Sequence, residues 1–216
     1  MGEYPGGWLA VKANLKKWGG RALLAMLVGG ALCLLGFFSL PWLAIGPSDT
    51  PRKADVILHF AVDERLNGDQ FVAELFRQGL AEHILCLSTQ AAWEVYPAEY
   101  SRAHLLELGV PAAQVSTLHL PTALDCRAQV MPIVVSYLQQ QGWRSALMVV
   151  EPPGSRANRR VAAPVFARAG IDLALSYSPR DYQAVTTNWW REHWKTQSMF
   201  SEVLNAGFDF FYSECW

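Results

Sequence analysis

Residues 145–176, SALMVVEPPGSRANRRVAAPVFARAGIDLALS, decide the fold. Ser145 to Val150 is apolar almost throughout, as a strand buried on both faces must be. Arg156 to Arg168 reads as a helix with Gly170 just beyond it, and Ile171 to Ser176 reads as a second strand. Two strands joined through a helix lie parallel, because a parallel crossover needs a dozen or more residues. Strands apolar on both faces belong to a sheet covered by helices on both sides.

The same alternation extends towards the N-terminus. Ala54 to Phe60 reads as a strand, and Asp69 to Gln78 as a helix with Phe71, Val72, Leu75 and Phe76 on one face and Gly79 as its stop. His83 to Ser88 is the next strand, followed by a helix from Glu99 to Leu108 and an extended segment from Gln114 to Leu120. Thr122 to Gln141 reads as a long helix that Pro132 kinks or divides. Beyond the last strand, a helix from Asn188 to Ala206 is expected to cover the sheet, with most of the tail's aromatic residues in the core. The predicted class is α/β, a Rossmann-like open, mostly parallel sheet with helices on both faces.

One transmembrane helix is predicted before it. Residues 22–46 contain no charged side chain, and a helix of about 20 residues crosses a hydrocarbon core roughly 30 Å thick. Lys12, Lys16, Lys17 and Arg21 precede the run, which places the N-terminus in the cytoplasm and the rest outside it. The run exceeds the 7–15 apolar residues usual in a cleaved signal, and Leu43-Ala44-Ile45-Gly46 is a poor cleavage site. The expected organisation is a cytoplasmic segment 1–21, a signal anchor 22–46, a linker 47–53 and an α/β domain 54–216. That places the domain on the side of the membrane away from the cytoplasm.

Of the chain's 18 Lys/Arg and 19 Asp/Glu, the residues after position 21 hold 14 and 18. This mildly acidic balance argues against a nucleic-acid partner, which calls for a basic surface. Cys33 lies in the span, leaving Cys86, Cys126 and Cys215 with no C-x-x-C spacing; Cys86 reads as a core residue. No metal site is expected.

In open α/β sheets ligands bind beyond the carboxyl ends of the strands, so the loops there hold the candidates. Residues 151–160 place Ser155, Arg156, Arg159 and Arg160 at a helix N-terminus. Arginine forks and free backbone N–H groups suit phosphate or carboxylate; ordinary pairing with Glu151 and surface carboxylates is the structural alternative. Thr122 and Asp125 open another helix, as a cap or as part of the same anion site. Asp63, Glu64 and Asp69 read as a solvated acidic loop, whose single Gly68 excludes a dinucleotide fingerprint; the cofactor is left open.

An anchor helix, Ala54-Asp55-Val56-Ile57-Leu58, Arg65, Glu99 leading to Leu108-Gly109-Val110-Pro111, Thr122-x-x-Asp125, Val149-Val150 and Arg159-Arg160 follow in order. With Tyr182, Trp189-Trp190-Arg191, Glu202 and Phe210-Phe211-Tyr212 in the tail, this order resembles the SanA/ElyC/YdcF-like family of bacterial envelope proteins. The resemblance covers about residues 54–212 and implies a Rossmann-like domain held at the bacterial inner membrane, on its periplasmic or extracytoplasmic side, with a role in envelope or exopolysaccharide biogenesis. The chain departs from the family pattern at His59-Phe60-Ala61-Val62-Asp63 and Ser88-Thr89-Gln90, where glycine-rich turns are expected. It departs again at Asp125-Cys126, in place of Glu-Asn, and at Ala157 (or Arg156, with the loop shifted by one), in place of a histidine. Lost glycines and a lost proton-transfer group imply a degenerate, non-catalytic binding subunit of an envelope assembly system, with assembly proteins and the bilayer as partners. The alternative is an enzyme acting on a phosphate-bearing lipid or sugar carrier, with the arginines as its anion site.

Overall fold

Strands with two apolar faces require two cores, and both are present in the computed structural model, which describes residues 7–60, 68–91, 95–121 and 127–211. Strand β1, Val56–Phe60, sends Val56 and Leu58 into one core and Ile57 into the other. β2, His83–Thr89, divides Leu85 and Leu87 from Ile84 and Cys86 in the same way. β4, Ser145–Val149, divides Ala146 and Met148 from Leu147 and Val149. Adding β3, Val115–Leu120, and β5, Asp172–Ser176, gives one sheet in the order β3-β2-β1-β4-β5. Every pairing is parallel.

Four helices cover the two faces. Val72 and Leu75 of α2, Gly68–Arg77, and Ala98 and Leu105 of α3, Pro97–Glu107, fill one core. Met131, Val134 and Leu138 of α4, Arg127–Gln140, and Val161 and Phe166 of α5, Ser155–Arg168, fill the other. The predicted α/β class with helices on both faces is therefore the observed one. Pro132 does not divide α4, which runs through it; the expected first turn, 122–126, lies outside the described residues. Cys86 is fully buried, and burial, reinforced by the nearby Asp69 and Glu99 carboxylates, pushes its thiol up to about 12.

The tail differs from expectation. The run expected as one helix from Asn188 is broken: Asn188 has a φ of 50°, a 3-10 turn follows at Trp189–Arg191, and α7 spans His193–Phe211. A short helix not anticipated, α6, Pro179–Thr186, precedes them; Ser178 caps it by accepting the Asp181 N–H at 3.3 Å. No described α7 side chain joins either sheet-facing core. Both faces are already covered by α2 to α5, so α7 packs elsewhere. Trp189 is buried, whereas Trp190 and Phe200 are exposed.

The chain divides into two compact units, Met1–Leu40 and Pro41–Trp216. Helix α1, Gly7–Ala44, supplies the first and ends in the second. Its stretch Leu23–Ala44 has a mean hydropathy of 2.4 and is long and apolar enough to cross a membrane. Leu24, Leu27 and Leu35 are all more than 60% exposed, a surface that water disfavours and lipid accepts.

Candidate functional site

The order β3-β2-β1-β4-β5 reverses direction at β1, the strand from which the chain first moves one way and later the other. The carboxyl ends of β1 and β4 therefore flank the usual ligand crevice of this architecture. Different side chains arrive there from the two sides.

From β4 comes the turn into α5. Gly154 holds a φ of 85° and so permits the sharp entry into the helix. Ser155 is fully buried; its hydroxyl donates to Pro152 O at 2.7 Å and accepts the Gly46 N–H at 2.9 Å. The Arg156 guanidinium donates to Trp42 O at 2.7 Å and Ile45 O at 3.0 Å. Arg159 donates to Pro47 O at 3.0 Å and pairs with Asp49 Oδ2 at 3.0 Å; its buried Nε has no partner among the described residues. Arg160 is exposed one position further on. Ser155, Arg156 and Arg159 are thus brought together on the chain's own segment 42–49, with Pro152 O beside Ser155 and Leu175 O 3.4 Å from Arg159 as further acceptors. Thr122 and Asp125 lie outside the described residues.

This arrangement explains cations gathered at a positive helix end. The guanidinium groups turn back onto carbonyl oxygens and Asp49. The Glu202 carboxylate meanwhile lies against Gly154, with Oε2 2.8 Å from where a Cβ would stand. Negative charge at the α5 N-terminus comes from within the protein, which the helix dipole favours.

Residues 46–49, expected within and beside a linker, are bonded along β5. The Asp49 N–H donates to Leu175 O, and the Leu175 N–H donates back to the Asp49 carboxylate at Oδ2, both 2.8 Å. Ser48 reaches Ser176 at 3.1 Å, and the Tyr177 hydroxyl donates to Gly46 O at 3.1 Å. Burial raises the Asp49 pKa, but the Leu175 N–H and Arg159 outweigh it and hold the carboxyl below the ordinary range. A depressed carboxylate contributes stability above its unfolded pKa, about 3.9, that disappears as pH falls through the folded value. Protection of the 46, 48 and 49 amides, taken against the free-chain exchange rate at each pH, should therefore fall below about pH 4 in the full chain, and Asp49→Asn should remove that acid step. Protection unchanged down to pH 3 would mean that Asp49 does not hold the segment.

On the other side of the crevice stands a cluster that sequence reading missed. His59 shares the face of Ile57, two residues before it, and so points towards α2 and α3. Its Nε2 lies 2.6 Å from Asp69 Oδ1, and His104 Nδ1 lies 2.8 Å from Asp69 Oδ2. Asp69 occupies the first turn of α2, as the helix expected from Asp69 places it, but its side chain is only 20% exposed and not the solvated acid expected of that loop. Burial raises its pKa; the two histidines and Ser101 more than offset that, leaving it below the ordinary carboxylate range. An ionised carboxylate only accepts, so each facing ring nitrogen carries the proton. The buried Nδ1 of His59 has no partner among the described residues. His104 is half exposed, with its Nε2 not engaged by Asp69.

A parallel link joins β3 to α3. Glu99 Oε1 accepts from Thr117 at 2.9 Å and His119 Nε2 at 2.8 Å, with Tyr96 stacked on His119 at 3.9 Å. At the end of β2, Ser88 accepts the Ala98 N–H at 3.0 Å and so caps α3 from the sheet.

Imidazole rings held by a carboxylate suit proton transfer when a reacting group comes within hydrogen-bond reach. The two rings take opposite oxygens of Asp69, which makes the group a relay and not a chelate. Among the described residues no three His, Cys, Asp or Glu side chains are placed to hold a metal ion. No protein-family model matches the chain, and no curated protein matches it significantly.

Proposed function

We propose that this chain is a single-pass bacterial inner-membrane protein whose α/β domain works outside the cytoplasm as a non-catalytic binding subunit in cell-envelope or exopolysaccharide biogenesis. One observation carries the choice over an anion-processing enzyme. Arg156 and Arg159, two of the arginines expected from sequence to hold an anion, are engaged by the chain's own carbonyls and Asp49. The uncharged run 22–46 and the preceding cations support the anchor and its orientation. The order of motifs shared with the SanA/ElyC/YdcF-like family supports the envelope role.

The experiment has two readouts. A reporter active only outside the cytoplasm, fused at Trp216, should give signal, and the full-length chain should stay with the membrane after carbonate washing. Copurification from mild detergent should then return envelope-assembly proteins. A shortened, soluble product overturns the anchor, and a cytoplasmic reporter overturns the orientation.

A second reading, an enzyme acting on a phosphate-bearing lipid or sugar carrier, draws its support from His104 and the exposed Arg160. Its signature is phosphate-carrier binding that Arg160→Ala weakens and His104→Gln leaves intact while abolishing turnover.

A further inference from the structure

At the end of the sheet opposite the crevice, the amino ends of β1, β2 and β4 border a cavity of about 370 Å³. Asp55 stands just before β1, and His83 and Ser145 are the first residues of β2 and β4; Lys53, Glu82 and Trp143 complete the polar and aromatic lining. Small-molecule sites measure roughly 300–1,000 Å³, so the space is large enough to hold one.

Its floor is fixed by the fold. The Asp55 N–H donates to Ser145 Oγ at 2.9 Å, and Asp55 Oδ2 accepts the Arg144 and Ser145 N–H groups at 2.7 and 2.8 Å. Its aromatic wall is anchored too. Trp143 packs on the core beside Tyr137, 6.3 Å away edge to face, and lies 5.3 Å from the His83 ring at an angle of 31°. The rest of the lining is unspent. Among the described residues, the Lys53 ammonium, the Glu82 carboxylate, the His83 ring nitrogens and the Trp143 N–H have no hydrogen-bond or ion-pair partner. Lys53 and Glu82 are exposed and share the cavity without pairing. The crevice is the reverse case, since its histidines and arginines already hold Asp69, Asp49 and chain carbonyls.

The mixture of groups selects the ligand class. A phosphate would be repelled by Glu82 and would find one ammonium in place of an arginine fork. A simple amine would leave Lys53 and the indole N–H without acceptors. A hydroxyl both donates and accepts, so a polyol can serve the cation, the carboxylate and the ring nitrogens together. The C–H face of a sugar ring also suits the negative face of an aromatic ring.

We propose that this cavity is a saccharide site, taking a pyranose ring against Trp143 with its hydroxyls shared between Lys53 and Glu82. The inference concerns the α/β domain alone and needs neither the membrane anchor nor the envelope role.

Saturation-transfer NMR tests it, on the full chain in phosphatidylcholine nanodiscs with glucose, galactose, mannose and N-acetylglucosamine in excess. Ring-proton signal from at least one sugar is expected. That signal should fall several-fold in Glu82→Ala and in Trp143→Phe, and stay unchanged in Tyr100→Ala, which alters an exposed ring on α3. Lys53→Met, at an exposed position on the rim, should also lose signal several-fold and keeps the test decisive should Trp143→Phe unfold. A native chain that gives no sugar signal overturns the proposal, as does a signal that Glu82→Ala and Lys53→Met leave intact. Putrescine and glycine are run as rivals: signal from either that Glu82→Ala removes, with none from the sugars, marks an ion site and equally overturns it.

Discussion

Asp69→Ala is expected to destabilise the α/β domain by about 3–4 kcal/mol, the largest effect of any single exposed-to-half-buried polar position described here. The carboxylate joins β1, α2 and α3 through His59 and His104. Hydrogen bonds to a charged group contribute about 1.5–3 kcal/mol each, and neighbouring ones are not fully additive. Alanine also leaves the buried His59 Nε2–H without an acceptor. Asp69→Asn should cost about half as much, because its amide oxygen still accepts from one ring and a tautomer change lets the other accept from its NH2. Urea unfolding of the full chain in non-ionic detergent, followed by near-ultraviolet circular dichroism, measures both. In the native chain this contribution should fade as pH falls through the depressed Asp69 pKa. Equal stability of Asp69→Ala and the native protein at pH 7 would show that the cluster does not hold the helices together.

The second large effect concerns a single hydrogen atom. At Gly46 an added methyl would meet the α5 backbone, at 2.8 Å from Arg156 Cα and 3.0 Å from Arg156 N. Backbone at a packed helix start does not yield as a flexible side chain does, so Gly46→Ala should cost about 1–3 kcal/mol. The loss should be local. The Gly46 N–H bond to Ser155 breaks with the displacement, and limited proteolysis should then cut between 44 and 53, where the native chain resists. Ser155→Ala, which removes the acceptor without overcrowding, should cost less, about 1–2 kcal/mol. A Gly46→Ala protein cut no faster than native would mean that residues 42–49 are loose already.

How far these sites were legible in the sequence follows from where their partners lie. β1, β2, β4 and β5 were readable because a strand buried on both faces advertises itself with consecutive apolar residues. α6 carried a readable signal that was passed over: Ser178-Pro179-Arg180-Asp181 is a helix start, with a capping serine and proline at the first position. The breadth of the tail helix was misread because Trp and Phe have the same pattern whether they meet a sheet or another surface. His59 and Asp69 stand ten residues apart in the chain and looked unrelated. Their meeting depends on strand parity and on the phase of two helices, and His104 joins from 35 residues further along. Arg156 and Arg159 were correctly singled out as unusual at a helix N-terminus. Their residue types suit a phosphate and a backbone carbonyl alike, and the carbonyls of Trp42, Ile45 and Pro47 that they reach lie more than 110 residues earlier. No local pattern records a partner at that distance.

Those separations bear on the order in which the protein assembles. Gly46 bonds across 109 positions to Ser155, Asp49 across 126 to Leu175, and Gly46 again across 131 to Tyr177. Each contact closes a loop containing nearly the whole domain, and the entropy of such closure is met only after the intervening structure exists. A chain emerging N-terminus first presents residues 42–49 long before α5 and β5 are made. Until the last third arrives, this stretch has no partner and its backbone is open to proteases. Seating of residues 42–49 is consequently a late event in folding, and a chain truncated before β5 should be clipped within that stretch even when its first strands have formed.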